Sequence, residues 1–433
     1  MFDFLIPISY NNMKKNILII VLCLTAIAAA AQDAPNLTNI IGSWTGKLKA
    51  GPMALTIVFN FEKSGDSVKC TLDSPDQGAK GIGAIVDFIS EDSVAVSIND
   101  IGASYTGRLV EGKLNGTFTQ RGFKFPLELT KGVAKAVRPQ HPTPPYPYKT
   151  EDVTFTNGAD SVALASTLTY PVGFETMKKG KVPVVLLVTG SGSQNRDEEI
   201  FEHKPFLVIA DYLARHGIAS LRYDDRGFGS STAGSKPIDQ TTTQDFARDA
   251  AAGIAFLRKM KQFGKVGVLG HSEGGNIAFM LGANNKVDFI ISMAGVGVKA
   301  DTALTAQANR ILELQGQTMK LNVSQYRLNV KSQHIAWMDW FIDYDPTADI
   351  AATRCPIMAI NGDKDCQVIS KLNLQGIGNA LPKNKKTVVK EYPSLNHLFQ
   401  HCTTGMPTEY GQIEETISPE VLNDITEWIK RIL

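Results

Sequence analysis

With 433 residues, 43% of them hydrophobic and 20% charged, the chain is long enough for two or three domains and a large core. A net charge of +1 gives neither the basic footprint of a nucleic-acid binder nor a strong acidic field. The expected partner is therefore a small or neutral molecule and not nucleic acid.

The first segment reads as an export signal. Met13-Lys14-Lys15 is a basic start, Ile17 to Ile27 is mostly apolar, and Ala28 to Ala31 offers small-residue cleavage sites before Gln32. Residues 1–12 read as an upstream extension, with Met13 as an alternative start. The apolar run is short for a membrane span. Cys23 follows Leu22, which is too bulky for a lipoprotein cleavage site. The expectation is removal of residues 1–31 and a periplasmic or secreted protein; a retained single-span anchor is the alternative.

Residues 33–132 form an all-β block. Trp44 to Gly46, Leu55 to Phe59, Val68 to Leu72, Val94 to Ile98, Tyr105 to Leu109, Leu114 to Phe118 and Phe125 to Leu129 are short alternating runs punctuated by Gly, Asp and Asn. No helical period intrudes, which predicts an antiparallel sandwich or a small up-and-down barrel. The Gly-x-Trp-x-Gly opening and the later Tyr-x-Gly resemble the lipocalin-like modules fused to exported hydrolases. A barrel interior suits an apolar ligand or a glycan, and a surface module suits a partner; a filled structural core is the alternative.

Residues 133–150 change character. The run Arg138-Pro139-Gln140-His141-Pro142-Thr143-Pro144-Pro145-Tyr146-Pro147 predicts a stiff, extended spacer at a domain boundary.

From residue 151 to 433 buried apolar runs alternate with amphipathic helices. Val184 to Val188, Ala219 to Tyr223, Val266 to Leu269, Phe289 to Met293, Ile357 to Ile360 and Thr387 to Lys390 read as strands. Lys204 to Arg215, Asp245 to Met260 and a last helix behind Ser418 and Pro419 read as helices, the last with Val421, Leu422, Ile425, Trp428 and Ile429 on one stripe. That order predicts an α/β fold with a mostly parallel sheet covered on both faces. Between about 298 and 349 the alternation stops. Leu304 to Leu314 and His334 to Phe341 have helical spacing, with Trp337, Met338, Trp340 and Phe341 clustered, which predicts a helical cap.

The chemistry centres on Gly270-His271-Ser272-Glu273-Gly274-Gly275, between the Val266 strand and a helix over Asn276 to Leu281. Gly-x-Ser-x-Gly in a strand–turn–helix setting presents the serine hydroxyl at the top of a sheet, and Gly270 and Gly274 let strand and helix pass closely. A serine nucleophile needs a base and a group to orient that base. Asn361-Gly362-Asp363-Lys364-Asp365-Cys366-Gln367-Val368 follows a strand with two candidate acids, Asp365 and, second, Asp363. Asn396-His397-Leu398-Phe399 supplies the base, His397, with His401 a poorer alternative. His271 lies inside the elbow and points away from the nucleophile, and His203 makes a structural hydrogen bond or lines the pocket.

Through these motifs residues 151–433 resemble the α/β-hydrolase superfamily, in particular exported serine esterases and its serine-aminopeptidase-like branch. The resemblance implies a doubly wound sheet with a helical cap, catalysis by Ser272, Asp365 and His397, and an oxyanion hole made by the N–H groups of Glu273 and Ser191, with Gly192 as the second choice for the latter. Where the family shows His-Gly after the first buried strand, this chain has Thr189-Gly190-Ser191-Gly192. The expected activity is hydrolysis of carboxylic esters with short to medium acyl groups. A peptidase or thioesterase on the same residues is the alternative, for which Glu313 and Asp339 are available acidic cap groups. An inactive binding protein is a third reading.

No cofactor is expected: the glycine-rich turn lacks the Gly-Lys-Ser/Thr of a phosphate loop, and no dinucleotide fingerprint completes itself. Asp224 and Asp225, in Arg222-Tyr223-Asp224-Asp225-Arg226-Gly227, read as a structural turn with paired charges, and no metal is expected there. After Cys23, four cysteines remain. Cys366 follows the candidate acid and Cys402 follows the candidate base, so a bridge between them is one expectation and free thiols the other.

Overall fold

The computed structural model describes residues 37–50, 53–65, 67–77, 79–132 and 137–433. The export signal lies outside the described residues, among which no helix is long and apolar enough to cross a membrane. Two compact units divide the chain, Met1–Lys135 and Ala136–Leu433.

In the N-terminal unit, β1 (Gly42–Ala50), β2 (Met53–Ser64), β3 (Ser67–Ser74), β4 (Ala79–Ile89), β5 (Ser93–Ile98), β6 (Ala103–Val110), β7 (Lys113–Gln120) and β8 (Phe123–Lys131) pair in chain order. Strand β1 closes on β8 through the pairs Trp44–Lys131 and Thr45–Thr130, giving a closed barrel and not a sandwich. Alternation makes this work: in β5, Val94, Val96 and Ile98 are buried while their neighbours are not. Trp44, Phe59, Phe61, Tyr105 and Phe118 meet in one buried cluster, and the Tyr105 hydroxyl donates to Leu114 O at 3.1 Å. That is the filled-core form of the barrel. The strand the sequence did not announce is β4. Two glycines and a shift of register between Val86 and Phe88 break its alternation.

The C-terminal unit runs β9 (Thr150–Asn157), β10 (Val162–Thr169), β11 (Val182–Val188), α1 (Pro205–Arg215), β12 (Ala219–Tyr223), α2 (Thr243–Lys259), β13 (Phe263–His271), α3 (Glu273–Ala283) and β14 (Phe289–Met293). It continues with α4 (Ala300–Leu314), α5 (Val323–Lys331), α6 (Ala336–Phe341), α7 (Thr347–Ala352), β15 (Ile357–Gly362), α8 (Ser370–Ala380), β16 (Val388–Tyr392) and α9 (Pro419–Ile432). The sheet order is β16-β15-β14-β13-β11-β12-β10-β9. Strands β11 to β16 are mutually parallel, and β10 joins β12 and β9 antiparallel. The β9–β10 hairpin was not expected, because its apolar residues alternate with polar ones instead of forming a continuous run.

Both faces are covered. On β11, Val184, Leu186 and Val188 pack with Phe246, Ile254 and Leu257 of α2 and Ile277 of α3. Val185 and Leu187 point the other way, into a core with Phe206 and Ile209 of α1 and Trp428 and Ile429 of α9. Ser418 and Pro419 open α9 as expected, but Ser418 Oγ is buried without a hydrogen bond and caps nothing.

One further expectation changes and another is met. The proline-dense stretch is no free spacer. Arg138 donates to the carbonyls of Phe201, Gly411 and Ile413, and Gln140 to Ile417 O. Between β14 and β15, helices α4 to α7 form the expected insertion. Its aromatics stack on one another, Trp337 on Phe341 at 5.0 Å and Trp340 on Tyr344 at 5.2 Å, around buried Val330, Met338 and Ile342.

Candidate active site

Every residue singled out for chemistry lies at the carboxyl end of a parallel strand, where the doubly wound sheet leaves its crevice. Ser272 sits between β13 and α3 with φ 54° and ψ −117°. Such a backbone is held from outside: Ser272 N donates to Met293 O at 2.8 Å, and Ser272 O accepts from Gly275 N at 2.9 Å. The flanking glycines answer close approach. A Cβ on Gly270 would lie 1.9 Å from Gly274 O, and one on Gly274 would lie 2.2 Å from Val188 O. Helix α3 begins at Glu273, so the positive end of its dipole faces the serine.

Asp365 and His397 are brought together. Asp365 Oδ2 lies 2.7 Å from His397 Nδ1, and Oδ1 accepts from the N–H groups of Gln367 and Val368, both at 2.8 Å. Both side chains are buried. Asp363, the second candidate acid, instead accepts from Ser394 N at 2.7 Å and holds the histidine loop. Ser272 Oγ makes no hydrogen bond among the described residues.

The glycine-rich turn after β11 abuts Ser272, since a Cβ on Gly190 would lie 3.3 Å from Ser272 Cβ. Gln194 Nε2 donates to Ser191 O at 3.2 Å, and Gly190 N donates to Glu198 Oε1 at 2.8 Å. The N–H groups of Ser191 and Glu273 are not engaged in hydrogen bonds among the described residues. Gly192 is exposed at φ 90°.

Parts of the chain are similar to known hydrolases. Residues 203–354 match the model of the serine aminopeptidase family, S33. Esterase EstD of Thermotoga maritima is 27% identical over 338 residues, which is 74% of this chain and 74% of that protein. Among solved structures, an esterase of Pyrococcus furiosus aligns with TM-score 0.45 and 17% identity over 69% of this chain and 99% of its own. Est1E of Butyrivibrio proteoclasticus, bound to ferulic acid, aligns with TM-score 0.44 and 15% identity over 65% and 98%.

Two side chains of this unit matter in ways the sequence motifs did not signal. Glu198, buried at φ 53°, accepts both from Gly190 N and from His271 Nδ1, the latter at 3.0 Å. His271 Nε2 in turn lies 2.9 Å from His397 O, and the two rings are 4.7 Å apart. Burial alone would push the His271 ring down, but Glu198 and the His397 carbonyl carry it above its usual value. The second is the Glu273 side chain, whose Oε1 accepts from Trp337 Nε1 at 2.8 Å while Oε2 has no hydrogen bond. Burial pushes its carboxyl up, partly offset by the Thr243, Trp337 and Ser191 side chains beside it. Glu198 belongs to no motif of the sequence analysis, and Glu273 entered it only for its N–H.

The remaining candidates are structural. His203 bonds Thr416 Oγ1 at 3.0 Å and Tyr410 O at 2.9 Å, and burial pushes it down to about 4. His401 is exposed and paired with Glu415. Asp224 takes a two-pronged bond from Arg196 (3.0 and 2.8 Å), and Asp225 accepts from Thr189 Oγ1 and Gln194 N. Thus the Arg222–Gly227 turn braces the loop after β11. Among the described residues no group of three His, Cys, Asp or Glu side chains is placed to hold a metal ion. Glu313 forms an exposed pair with Arg310, and Asp339 Oδ1 is buried without a partner. All four described cysteines are free: Cys366 Sγ bonds Gly405 O at 3.2 Å and Cys402 Sγ bonds Ser394 O at 3.6 Å.

Proposed function

We propose that the protein hydrolyses carboxylic esters of short to medium acyl chain by a serine, histidine and aspartate mechanism. The buried 2.7 Å contact between Asp365 Oδ2 and His397 Nδ1 carries this reading, because it fixes the tautomer that leaves Nε2 free as a base. His397 Nε2 takes the Ser272 proton as Oγ attacks the acyl carbonyl, and Asp365 stabilises the imidazolium. The N–H groups of Glu273 and Ser191 receive the oxyanion. His397 then protonates the leaving alcohol, and water repeats the cycle on the acyl-enzyme. Similarity to esterase EstD supports an ester substrate.

The test is turnover of p-nitrophenyl acetate, butyrate and octanoate beside aminoacyl p-nitroanilides, with wild type and Ser272→Ala. Ester turnover that falls at least about 1,000-fold in the variant is the expected result. Anilide turnover lost in the variant would replace the esterase by a peptidase, and an active Ser272→Ala protein would overturn the mechanism. Export is proposed on the N-terminal signal, and the intact mass of protein recovered from a bacterial periplasm reads whether residues 1–31 are removed.

A further inference from the structure

The sequence placed His271 inside the nucleophile elbow and gave it no task. Its two ring nitrogens meet two acceptors. Nδ1 faces Glu198 Oε1, an oxygen that also accepts from Gly190 N, and Nε2 faces the main-chain carbonyl of His397. A carbonyl cannot donate, and Oε1 is a carboxylate oxygen that already accepts from Gly190 N. A neutral imidazole carries one N–H and can fill only one of these bonds; an imidazolium fills both. His203 is the contrasting case within the same unit. Its Nδ1 partner is the Thr416 hydroxyl, which can donate, so a neutral ring fits there.

We infer that Glu198 and a doubly protonated His271 form a buried positioning pair that fixes the oxyanion-side turn at Gly190 and the main chain at His397 in one register. The inference rests on the proposed role of His397 as base and adds residues that act through it without touching substrate. Two loops meet at this ring: Glu198 comes from the loop after β11 and His397 from the loop after β16, while Asp365, in the loop after β15, acts on it through space; these are the titratable groups that act on His271. Helix α1 and strand β14 line the small cavity beside it with apolar Pro205, Phe206, Ile209 and Met293. A cation in that setting is held by Glu198 alone among charged groups in hydrogen-bond contact, at 3.0 Å.

The consequence is directional. His271 is held above its usual value, so the imidazolium persists to higher pH than in a free ring and is lost as pH rises through that raised value. Losing it leaves either the His397 carbonyl or Glu198 without its donor from the ring, and the rate falls on the alkaline side. Glu198→Gln removes the counter-charge, so His271 loses its second proton at lower pH and the alkaline limb moves down.

The experiment combines histidine-ring nitrogen NMR of the full chain with ester kinetics across pH. Wild type should show both His271 nitrogens protonated at neutral pH, and Glu198→Gln should show one. In the variant kcat should fall about 10- to 100-fold with KM nearly unchanged, as for a displaced catalytic group. A wild-type His271 with one protonated nitrogen overturns the inference, and that spectrum decides even if the variant does not fold. A variant with wild-type kcat and alkaline limb overturns it as well. Labelling of Ser272 by a fluorophosphonate is read in parallel. Labelled wild type with an unchanged Glu198→Gln profile sinks the positioning pair alone, whereas failure of wild type to label sinks the serine-hydrolase reading and the catalytic consequence with it.

Discussion

Trp337 Nε1 donates to Glu273 Oε1 at 2.8 Å, so helix α6 of the insertion is bonded to the residue directly after Ser272. Glu273 is 3% exposed and its other carboxylate oxygen has no partner. Trp337→Phe keeps the ring that stacks on Phe341 but leaves the buried carboxyl without its donor. The expected cost is about 1–3 kcal/mol, the usual penalty for orphaning a buried polar group, read as a lower urea midpoint. Adding Glu273→Gln to Trp337→Phe should recover part of that loss, since a neutral amide is cheaper to bury. A neutral Trp337→Phe would mean that the bond does not hold the insertion.

The two aspartates that compete for the acid role separate cleanly by what they touch. Asp365 contacts His397, whereas Asp363 contacts Ser394 N. Asp365→Asn should lower kcat by about 10,000-fold, because an amide can stabilise the wrong imidazole tautomer and cannot support the cation. Asp363→Asn should leave kcat within about tenfold and act mainly on stability, through a weakened bond to the histidine loop. Steady-state kinetics on p-nitrophenyl butyrate distinguishes them. The reverse ranking would return the acid role to Asp363.

A third prediction concerns the brace behind the oxyanion-side turn. Arg226 is fully buried, donating from Nε and Nη2 to Asp249 at 2.7 Å and to Asp160 at 2.8 Å. Asp249 is equally buried and also accepts from Asn157 at 2.8 Å. Burial already pushes the Asp249 carboxyl up against the pull of Arg226. Arg226→Met would strip the pair of its cation and leave a buried carboxylate, at a cost of about 3–5 kcal/mol. Replacing both, Arg226→Met with Asp249→Leu, should cost less than the single change. Urea unfolding of the three variants gives the comparison, and a double variant worse than the single one would show that the pair itself stabilises the fold.

What could be read from the sequence follows the strength of each local signal. The buried strands β11 to β15 are continuous apolar runs, and the Ser272 elbow is set by glycines whose Cβ atoms would strike backbone. Both are visible one residue at a time. The hairpin of β9 and β10 and the glycine-broken β4 carry half-buried alternation and were not expected. Chain partners far apart in sequence stayed hidden. Glu198 is 73 positions from His271 and Trp337 is 64 positions from Glu273, and neither pair has a spacing motif. Proline density told of an extended backbone at 138–147 but not of the carbonyls of Phe201, Gly411 and Ile413 that Arg138 finds.

Acid stability provides a last prediction, centred on the start of α2. The sequence placed that start at Asp245, and the structure makes Asp245 the third helical residue of a capping box instead. Its Oδ2 accepts from Thr242 N at 2.7 Å, Thr242 Oγ1 at 3.0 Å and Lys236 Nζ at 2.6 Å. Burial works to raise the carboxyl, but Lys236 and Thr242 outweigh it and bring it down to about 2. A depressed carboxylate contributes stability that is complete above its unfolded value, near 3.8, and is lost as pH falls through about 2. Asp245→Ala should therefore cost about 0.5–2 kcal/mol at neutral pH, as for a lost cap. The gap between wild type and variant should close as the pH is lowered from about 4 to about 2. Urea midpoints measured across that range decide it, and a gap that stays constant would mean that packing around the side chain, and not its charge, holds the start of the helix.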